Sequence, residues 1–290
     1  MMSGVITPNT DAAATVQTNH NLSEWRSGKY VESYATNVLT PVEVKVFVRY
    51  RDQLSGRVLD LGCGAGRVLS YLVMLGADAH GVDIAPSMVD RCRQVVPEAK
   101  VQVADVADLA LTIDGKFDAV IAPDNLLDVF DDAKRRKVLS DLGEFLAEDG
   151  LLIFSTHDLG WAEHNPGPRS WEKKLTPALL GRKLIEVAPA DVVRSIFRRR
   201  REAANRKRLA PLQQRNADHA IINDFPHDYS LLHYYIRRDD QERQPESLGY
   251  ELIECLDERG REVGPGGHGS CDSLTYVARR ARGSGPATTS

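Results

Sequence analysis

Val58–Leu59–Asp60–Leu61–Gly62–Cys63–Gly64–Ala65–Gly66–Arg67 is the stretch on which the fold turns. Its first half is a short apolar run of strand length. Its second half alternates glycine with small residues and leads into GRVLSYLVMLG, where apolar residues fall at helical spacing until Gly76. Glycine lets the backbone turn tightly and lets a ligand approach the main chain. In an open α/β sheet, ligands bind beyond the carboxyl ends of the strands, where strand order reverses.

Outward from this segment the alternation repeats. PVEVKVFVRYRDQL, from Pro41, reads as a preceding helix with proline at an early position. AHGVDI, KVQVADV, KFDAVIAP and LLIFSTH read as strands. SMVDRCRQVV, closed by Pro97, and AKRRKVLSDLGEFLAEDG, ending at Gly150, read as helices between them. The strands are apolar on both faces, which predicts a doubly wound α/β fold with a mostly parallel sheet and helices on both faces. After residue 160 the rhythm breaks. Residues 161–236 read as an inserted cap after the fifth strand, with a strand at KLIEVA and two strands in 219–236 around a proline-containing turn. DDQERQPESLG reads as a short helix, and YELIECLD and SLTYVARR as the last two strands, so that 237–280 return to the sheet. Residues 1–20 and 281–290 are polar and without periodicity and read as disordered tails around a core that begins at 21.

Composition narrows the class. The chain has 290 residues, 42% hydrophobic and 27% charged, and a formal net charge of -4. That balance argues against a globally basic nucleic-acid binder. No apolar run approaches the ~18 residues of a membrane span. The first residues have neither the basic nor the apolar region of a secretory signal. The four cysteines (Cys63, Cys92, Cys255, Cys271) have no zinc-like spacing, so the expectation is no metal and reduced thiols in a cytoplasmic protein.

Nucleotide-type ligands compete for the glycine loop. A dinucleotide fingerprint needs glycine at position 67, which is Arg67, and no GK[ST] follows for a phosphate loop. An acid, Asp60, precedes the first glycine. It would repel a pyrophosphate but welcome the ammonium of a sulfonium amino acid. Asp83 ends the second strand, where a carboxylate can accept from both hydroxyls of a ribose. Ile84 and Met88 suit one face of an adenine, and Asp105 could hold its exocyclic amine or simply cap a helix. The fourth strand ends at Ala122–Pro123–Asp124–Asn125, where a transferred group and its acceptor would meet.

VLDLGCGAGR, GVDIAPSMV, VQVADVADL and FDAVIAPDNLLDVF together resemble, in order and spacing, the motifs of class I S-adenosylmethionine-dependent methyltransferases, in particular members acting on small molecules. The resemblance covers about 37–160 and resumes weakly at 250–280. It implies a seven-stranded sheet with an antiparallel last strand. It implies S-adenosylmethionine as methyl donor and S-adenosylhomocysteine as product. It also implies donor contacts at Asp60, Gly62, Gly64, Asp83, Ile84, Asp105 and Val106, with Cys63, Met88 and Ala122 beside them. Cys63 itself reads as a small packing residue. Trp25, Arg26, Tyr30 and Tyr34 resemble the N-terminal cover helix of small-molecule members, and Tyr30 is the donor contact expected there. Tyr30 and Tyr34 share a helix face that core packing would also explain.

For the acceptor, methyl transfer asks mainly for positioning, with a base only where the acceptor must lose a proton. His157 follows the fifth strand directly and is the first candidate. His227 and His233 lie in FPHDYSLLHYYI, and Asp158 or Asp228 could orient a histidine. Alternation in HYYI puts His233 and Tyr235 on one face and Tyr234 on the other, which names His157, His233 and Tyr235 as candidate catalytic residues. The basic stretch Arg194–Arg215 admits two readings, a grip for RNA, a protein or an anionic small molecule, and a solvated helix face or flexible loop. A silent member that binds the donor without turnover is the remaining alternative. An aromatic N-terminal helix and a long insertion both offer surface for a homodimer.

Overall fold

The computed structural model describes residues 10–27, 38–165, 189–224 and 226–281. Seven strands form the expected sheet: β1 (Arg57–Leu61), β2 (Asp78–Asp83), β3 (Lys100–Val103), β4 (Phe117–Ala122), β5 (Leu146–Asp158), β9 (Tyr250–Asp257) and β10 (Ser273–Arg280). Their order is β3-β2-β1-β4-β5-β10-β9, with β10 antiparallel to both neighbours. Strand order reverses between β1 and β4, so the glycine loop after β1 lies at the switch point.

The pleat explains why these strands are apolar throughout. Leu59, Leu61, Val120, Ala122, Leu152 and Phe154 face one layer, with helix α5 (Asp132–Leu142) contributing Val138, Leu139 and Leu142. Val58, Ala119, Ile121, Leu151 and Ile153 face the other. That layer holds α2 (Pro41–Arg49), α3 (Arg67–Met74) and α4 (Pro86–Val95). Each fully buried Leu, Ile or Phe contributes about 1.5–3 kcal/mol against exposure, and covering both faces is what lets successive residues all count. Helix α2 starts as its sequence dictates: Pro41 opens the first turn, and Thr40 and Glu43 form a reciprocal capping box.

The sheet is larger than seven strands. Three strands of the insertion, β6 (Gln214–Arg215), β7 (His219–Ile222) and β8 (His233–Ile236), extend the same sheet to ten. The cause lies at the end of β4. Pro123 has no N–H to give, and Asp124 and Asn125 adopt φ of 52° and 56°, so β4 stops opposite Phe154. β5 runs on to Asp158, and β8 takes up its freed edge, pairing His157 with Tyr235 and Asp158 with Ile236. Helices α6 (Leu159–His164) and α7 (Pro189–Leu209) precede this hairpin, and α8 (Arg238–Glu246) follows it. The strand expected at KLIEVA lies outside the described residues.

One expectation is corrected at the N-terminus. Residues 10–20, placed by composition in a disordered tail, belong to helix α1 (Thr10–Arg26). Leu22 and Trp25 pack against the core at its C-terminal end, but polar contacts rather than a continuous apolar stripe hold the rest down, which is why hydrophobic periodicity missed it. Thr18 Oγ1 donates to Asp131 (2.8 Å), and Asn21 Nδ2 donates to the carbonyls of Val129 (2.9 Å) and Leu232 (2.7 Å). Both side chains are buried, so each bond lost would leave an unsatisfied group costing about 1–3 kcal/mol.

Candidate functional site

The glycine loop is built around backbone that a side chain would spoil. Gly62 has φ +63°, and a Cβ there would come within 2.8 Å of Leu126 Cδ1. Gly66 has φ +95° at the start of α3, with Val96 Cγ2 2.8 Å from its missing Cβ. Arg67, the residue that breaks the dinucleotide pattern, ties the loop to its surroundings. Its guanidinium reaches Glu43 of α2 and Asp124 after β4, each at 2.7 Å.

Asp60 lies beneath this loop, fully buried, and among the described residues neither carboxylate oxygen has a hydrogen-bond partner. Burial pushes its carboxyl well above the ordinary range, with the charge of Arg67 opposing. Asp83 is better supported. Its Oδ2 accepts from the Gly64 amide (2.9 Å) and its Oδ1 from the Ala85 amide (2.8 Å). Each oxygen keeps a lone pair for a hydroxyl. Burial raises its pKa too, against those amide bonds. Asp105 caps the following turn through the Ala107 amide (3.0 Å), and Arg26 of α1 lies 3.6 Å from its other oxygen.

Gly62, Gly64, Asp83 and Asp105 open onto one cavity of about 580 Å³. One end is lined by Gly62, Gly64, Asp83, Ile84, Met88, Asp105 and Val106, with Leu22 and Trp25 of α1 across from them. The other end is lined by Pro123, Asp124, Asn125, His157, His227 and His233. Trp25 and His227 meet edge to face at 5.1 Å, so α1 and the insertion both wall the space.

At the second end two histidines are each set by a carboxylate. His157 Nδ1 donates to Asp128 Oδ2 (2.7 Å), which also accepts the His157 amide (2.7 Å). Asp128 Oδ1 accepts from Thr156 Oγ1 (2.6 Å) and lies 3.6 Å from the fully buried Arg135. The Nε2 of His157 accepts from Asn125 Nδ2 at 3.2 Å. The Asn125 amide is oriented by Ser273, whose hydroxyl donates to its oxygen at 2.8 Å. Burial works against an imidazolium at His157, but the hydrogen bond and charge of Asp128, with Asp224 and Asp272 beyond, outweigh it and raise the pKa. His233 Nδ1 meets Asp224 Oδ1 at 2.7 Å, and Tyr235 donates its hydroxyl to Asp224 Oδ2 at 2.6 Å. Burial favours a neutral Asp224, yet the charge and hydrogen bond of His233 hold its pKa down at about 2. The rings of His157 and His233 stack at 4.9 Å, and those of His157 and Tyr235 at 4.6 Å.

The structure sorts the sequence candidates. Gly62, Gly64, Asp83, Ile84, Met88, Asp105, Val106, His157 and His233 share the cavity. Asp60, Cys63 and Ala122 are not in its lining and are buried beneath it, because their side chains turn into the sheet's packed layers. Cys63 packs against Gly81, where a Cβ would lie 3.0 Å from its sulfur. Tyr235 does share a face with His233, as alternation required, but it too lies outside the lining and its hydroxyl is spent on Asp224. Tyr234 faces the opposite side, bonded to Asp132 under Arg135. Tyr30 and Tyr34 lie outside the described residues.

The residues expected to orient a histidine are corrected. Asp158 accepts the Gly160 and Gly269 amides, and Asp228 pairs with Arg198 and Arg201 of α7. Asp128 and Asp224 do the orienting. Asp128 stood in view in DNLLDVF, yet no periodicity says that this turn reaches across to β5. In the basic stretch, Arg198 and Arg201 are thus tied to the insertion, while Arg199, Arg200, Lys207 and Arg208 are exposed.

Residues 58–150 match the family described as a methyltransferase domain. Magnesium-protoporphyrin O-methyltransferase of Rhodobacter capsulatus is 37% identical over 102 residues, 33% of this chain and 44% of that protein. Ubiquinone biosynthesis O-methyltransferase of Xanthomonas oryzae pv. oryzae is 33% identical over 124 residues, 41% and 51% of the two chains. The chain thus matches these curated relatives over about half their length. Among solved structures, Burkholderia thailandensis 1,6-didemethyltoxoflavin-N1-methyltransferase superposes with a TM-score of 0.52 at 12% identity, over 97% of this chain and 93% of that one. That likeness is one of fold. The match places a methyltransferase domain at residues 58–150.

Proposed function

We propose that the protein transfers the methyl group of S-adenosylmethionine to a small-molecule acceptor. The observation that carries this is the single cavity running from the glycine loop and Asp83 to the Nε2 of His157. Its first end fits the donor. Asp83 has spare lone pairs for two ribose hydroxyls. Ile84, Met88 and Val106 offer apolar contact for an adenine, and Asp105 an acceptor for its amine. Gly62 and Gly64 keep the backbone open to the methionine part.

Bound S-adenosylmethionine supplies an electrophilic methyl carbon and leaves as S-adenosylhomocysteine. The chain's own part is to align an acceptor atom at Asn125 and His157. His157, with Nδ1 committed to Asp128, takes the acceptor's proton on Nε2, and such a base contributes typically about 10²–10⁴-fold. Asn125 gives up its bond to that nitrogen when the acceptor arrives. Acceptors that attack as neutral lone pairs need His157 only as a positioning group. The buried volume suits a metabolite. It supports the same reading that the relatives' names, magnesium-protoporphyrin and ubiquinone biosynthesis O-methyltransferases, refer to small molecules. No helix among the described residues is long and apolar enough to cross a membrane, and the four cysteines are unpaired, which supports a place in the cytoplasm.

The test is transfer of labelled methyl into a host extract separated into small molecules, nucleic acid and protein. Label in the small-molecule fraction is the expected result. Label confined to RNA or protein would overturn it in favour of the exposed arginines of α7. Donor binding without label in any fraction would favour the silent member.

A further inference from the structure

We propose that His157, Asp224 and His233 form a site for one divalent transition-metal ion, and that filling it silences the base. The second part rests on the reading of His157 given above. One donor atom from each of the three side chains lies within 4.8 Å of the others. They come from three places in the chain that only the ten-stranded sheet joins. His157 is on β5, Asp224 follows β7, and His233 opens β8, with Ile222 paired to His233 across the hairpin. All three are shielded from solvent, with side-chain exposures of 7%, 10% and 7%.

The surroundings are those of ligating groups. Asp128 takes His157 Nδ1 and so leaves Nε2 as the free nitrogen. A carboxylate behind a ligating imidazole fixes its tautomer and orientation. Tyr235 fixes Asp224 from the far side through Oδ2. Two imidazoles and a carboxylate suit zinc, cobalt or nickel, whereas magnesium and calcium want oxygen alone. At bonds of about 2.0–2.2 Å tetrahedral donors sit roughly 3.4 Å apart, so the wider separations, up to 4.8 Å, must close and the His233–Asp224 pair, at 2.7 Å, must open. Two bonds yield when the ion enters. Asn125 releases His157 Nε2, at 3.2 Å the longer contact, and His233 frees Nδ1 as a neutral ring with its hydrogen on Nε2, an imidazolium losing the Nδ1 proton to solvent and a neutral ring exchanging tautomer. The Nε2 lone pair is then committed to the ion and no longer takes a proton from an acceptor.

The experiment is cobalt titration of the chelator-treated full chain, read by equilibrium dialysis and by the visible absorption of bound cobalt. One ion per chain is expected. His233→Ala and Asp224→Asn should each weaken binding at least about tenfold. S-adenosylhomocysteine binding, measured on every variant, reports that the fold survives. His268→Ala removes the surface pair His164–His268, whose rings stack at 4.6 Å, and should leave cobalt binding unchanged. Cobalt should also abolish methyl transfer while leaving S-adenosylhomocysteine affinity within about twofold. The ion site is overturned if cobalt binding survives the His233 and Asp224 variants, or disappears with His268. It is likewise overturned if a chain that binds S-adenosylhomocysteine takes up no stoichiometric cobalt. A chain that binds cobalt but not S-adenosylhomocysteine would refute the donor reading alone.

Discussion

Asp128→Asn is the substitution on which the acceptor end of the site turns. Asp128 is fully buried and accepts three hydrogen bonds, from Thr156 Oγ1 (2.6 Å), the His157 amide (2.7 Å) and His157 Nδ1 (2.7 Å). Beside it lies Arg135, also fully buried, held by Gln241, Gln244 and Thr156. Among the described residues the ion pair of Arg135 is with Asp128, at 3.6 Å. An asparagine of the same shape can turn its oxygen to the two His157 donors. Its amide nitrogen then faces a threonine hydroxyl that already receives an Arg135 N–H. The hydrogen bonds are thus mostly recoverable, and the charge is not. Removing one partner of a buried ion pair costs about 3–5 kcal/mol, a large part of the stability of a domain worth about 5–15 kcal/mol. Urea unfolding monitored by circular dichroism should show the midpoint falling at constant slope. Methyl transfer should fall by about 10²–10⁴ in kcat, with S-adenosylhomocysteine affinity retained at the other end of the cavity. A loss below about 1 kcal/mol would mean that Arg135 is compensated without Asp128, and the reasoning would fail.

Three further outcomes follow from the donor end. Gly62→Ala forces a side chain into the left-handed region at about 1–2 kcal/mol and displaces Leu126; unfolding at the wild-type urea midpoint would contradict this. Asp83→Asn leaves an amide of the loop without its acceptor and should weaken S-adenosylhomocysteine about 10- to 100-fold by calorimetry, in line with ~1.5–3 kcal/mol for a charged hydrogen bond. Because burial raises the Asp60 carboxyl above its unfolded value of about 3.9, its contribution is fully present below that pH and is lost as pH climbs through the folded value. Asp60→Asn should therefore gain on the wild type in urea melts as pH rises from about 4 to about 8, and a constant difference would remove the burial argument.

Much of the proposed donor end was legible along the chain because its chemistry is local. Asp60, the glycines and Arg67 fall in one short stretch, Asp83 ends the next strand, and Asp105 follows the end of the one after. A doubly wound sheet brings successive strand ends together as a matter of course, so order and spacing are enough to read them. The helix that covers them was only half legible. Trp25 and Arg26 were in view, but residues 10–20 carry no apolar stripe, and their anchors are hydrogen bonds to carbonyls more than a hundred residues away.

What the sequence by itself determined is therefore the layered fold, the position of the glycine loop at the switch point and the carboxylates that line the cavity beside that loop. Hydrophobic period and glycine placement are local properties of the backbone. What only the tertiary structure decided is the acceptor end. β4 stops at Pro123 and leaves an edge of β5 free, and β8 from the insertion pairs with that edge. That one pairing stacks His233 and Tyr235 against His157, brings Asp224 within reach, and makes Asp128 rather than Asp158 the partner of His157. Hydrogen bonding between strand edges depends on which edges are exposed once the sheet has formed, and no spacing along the chain encodes that.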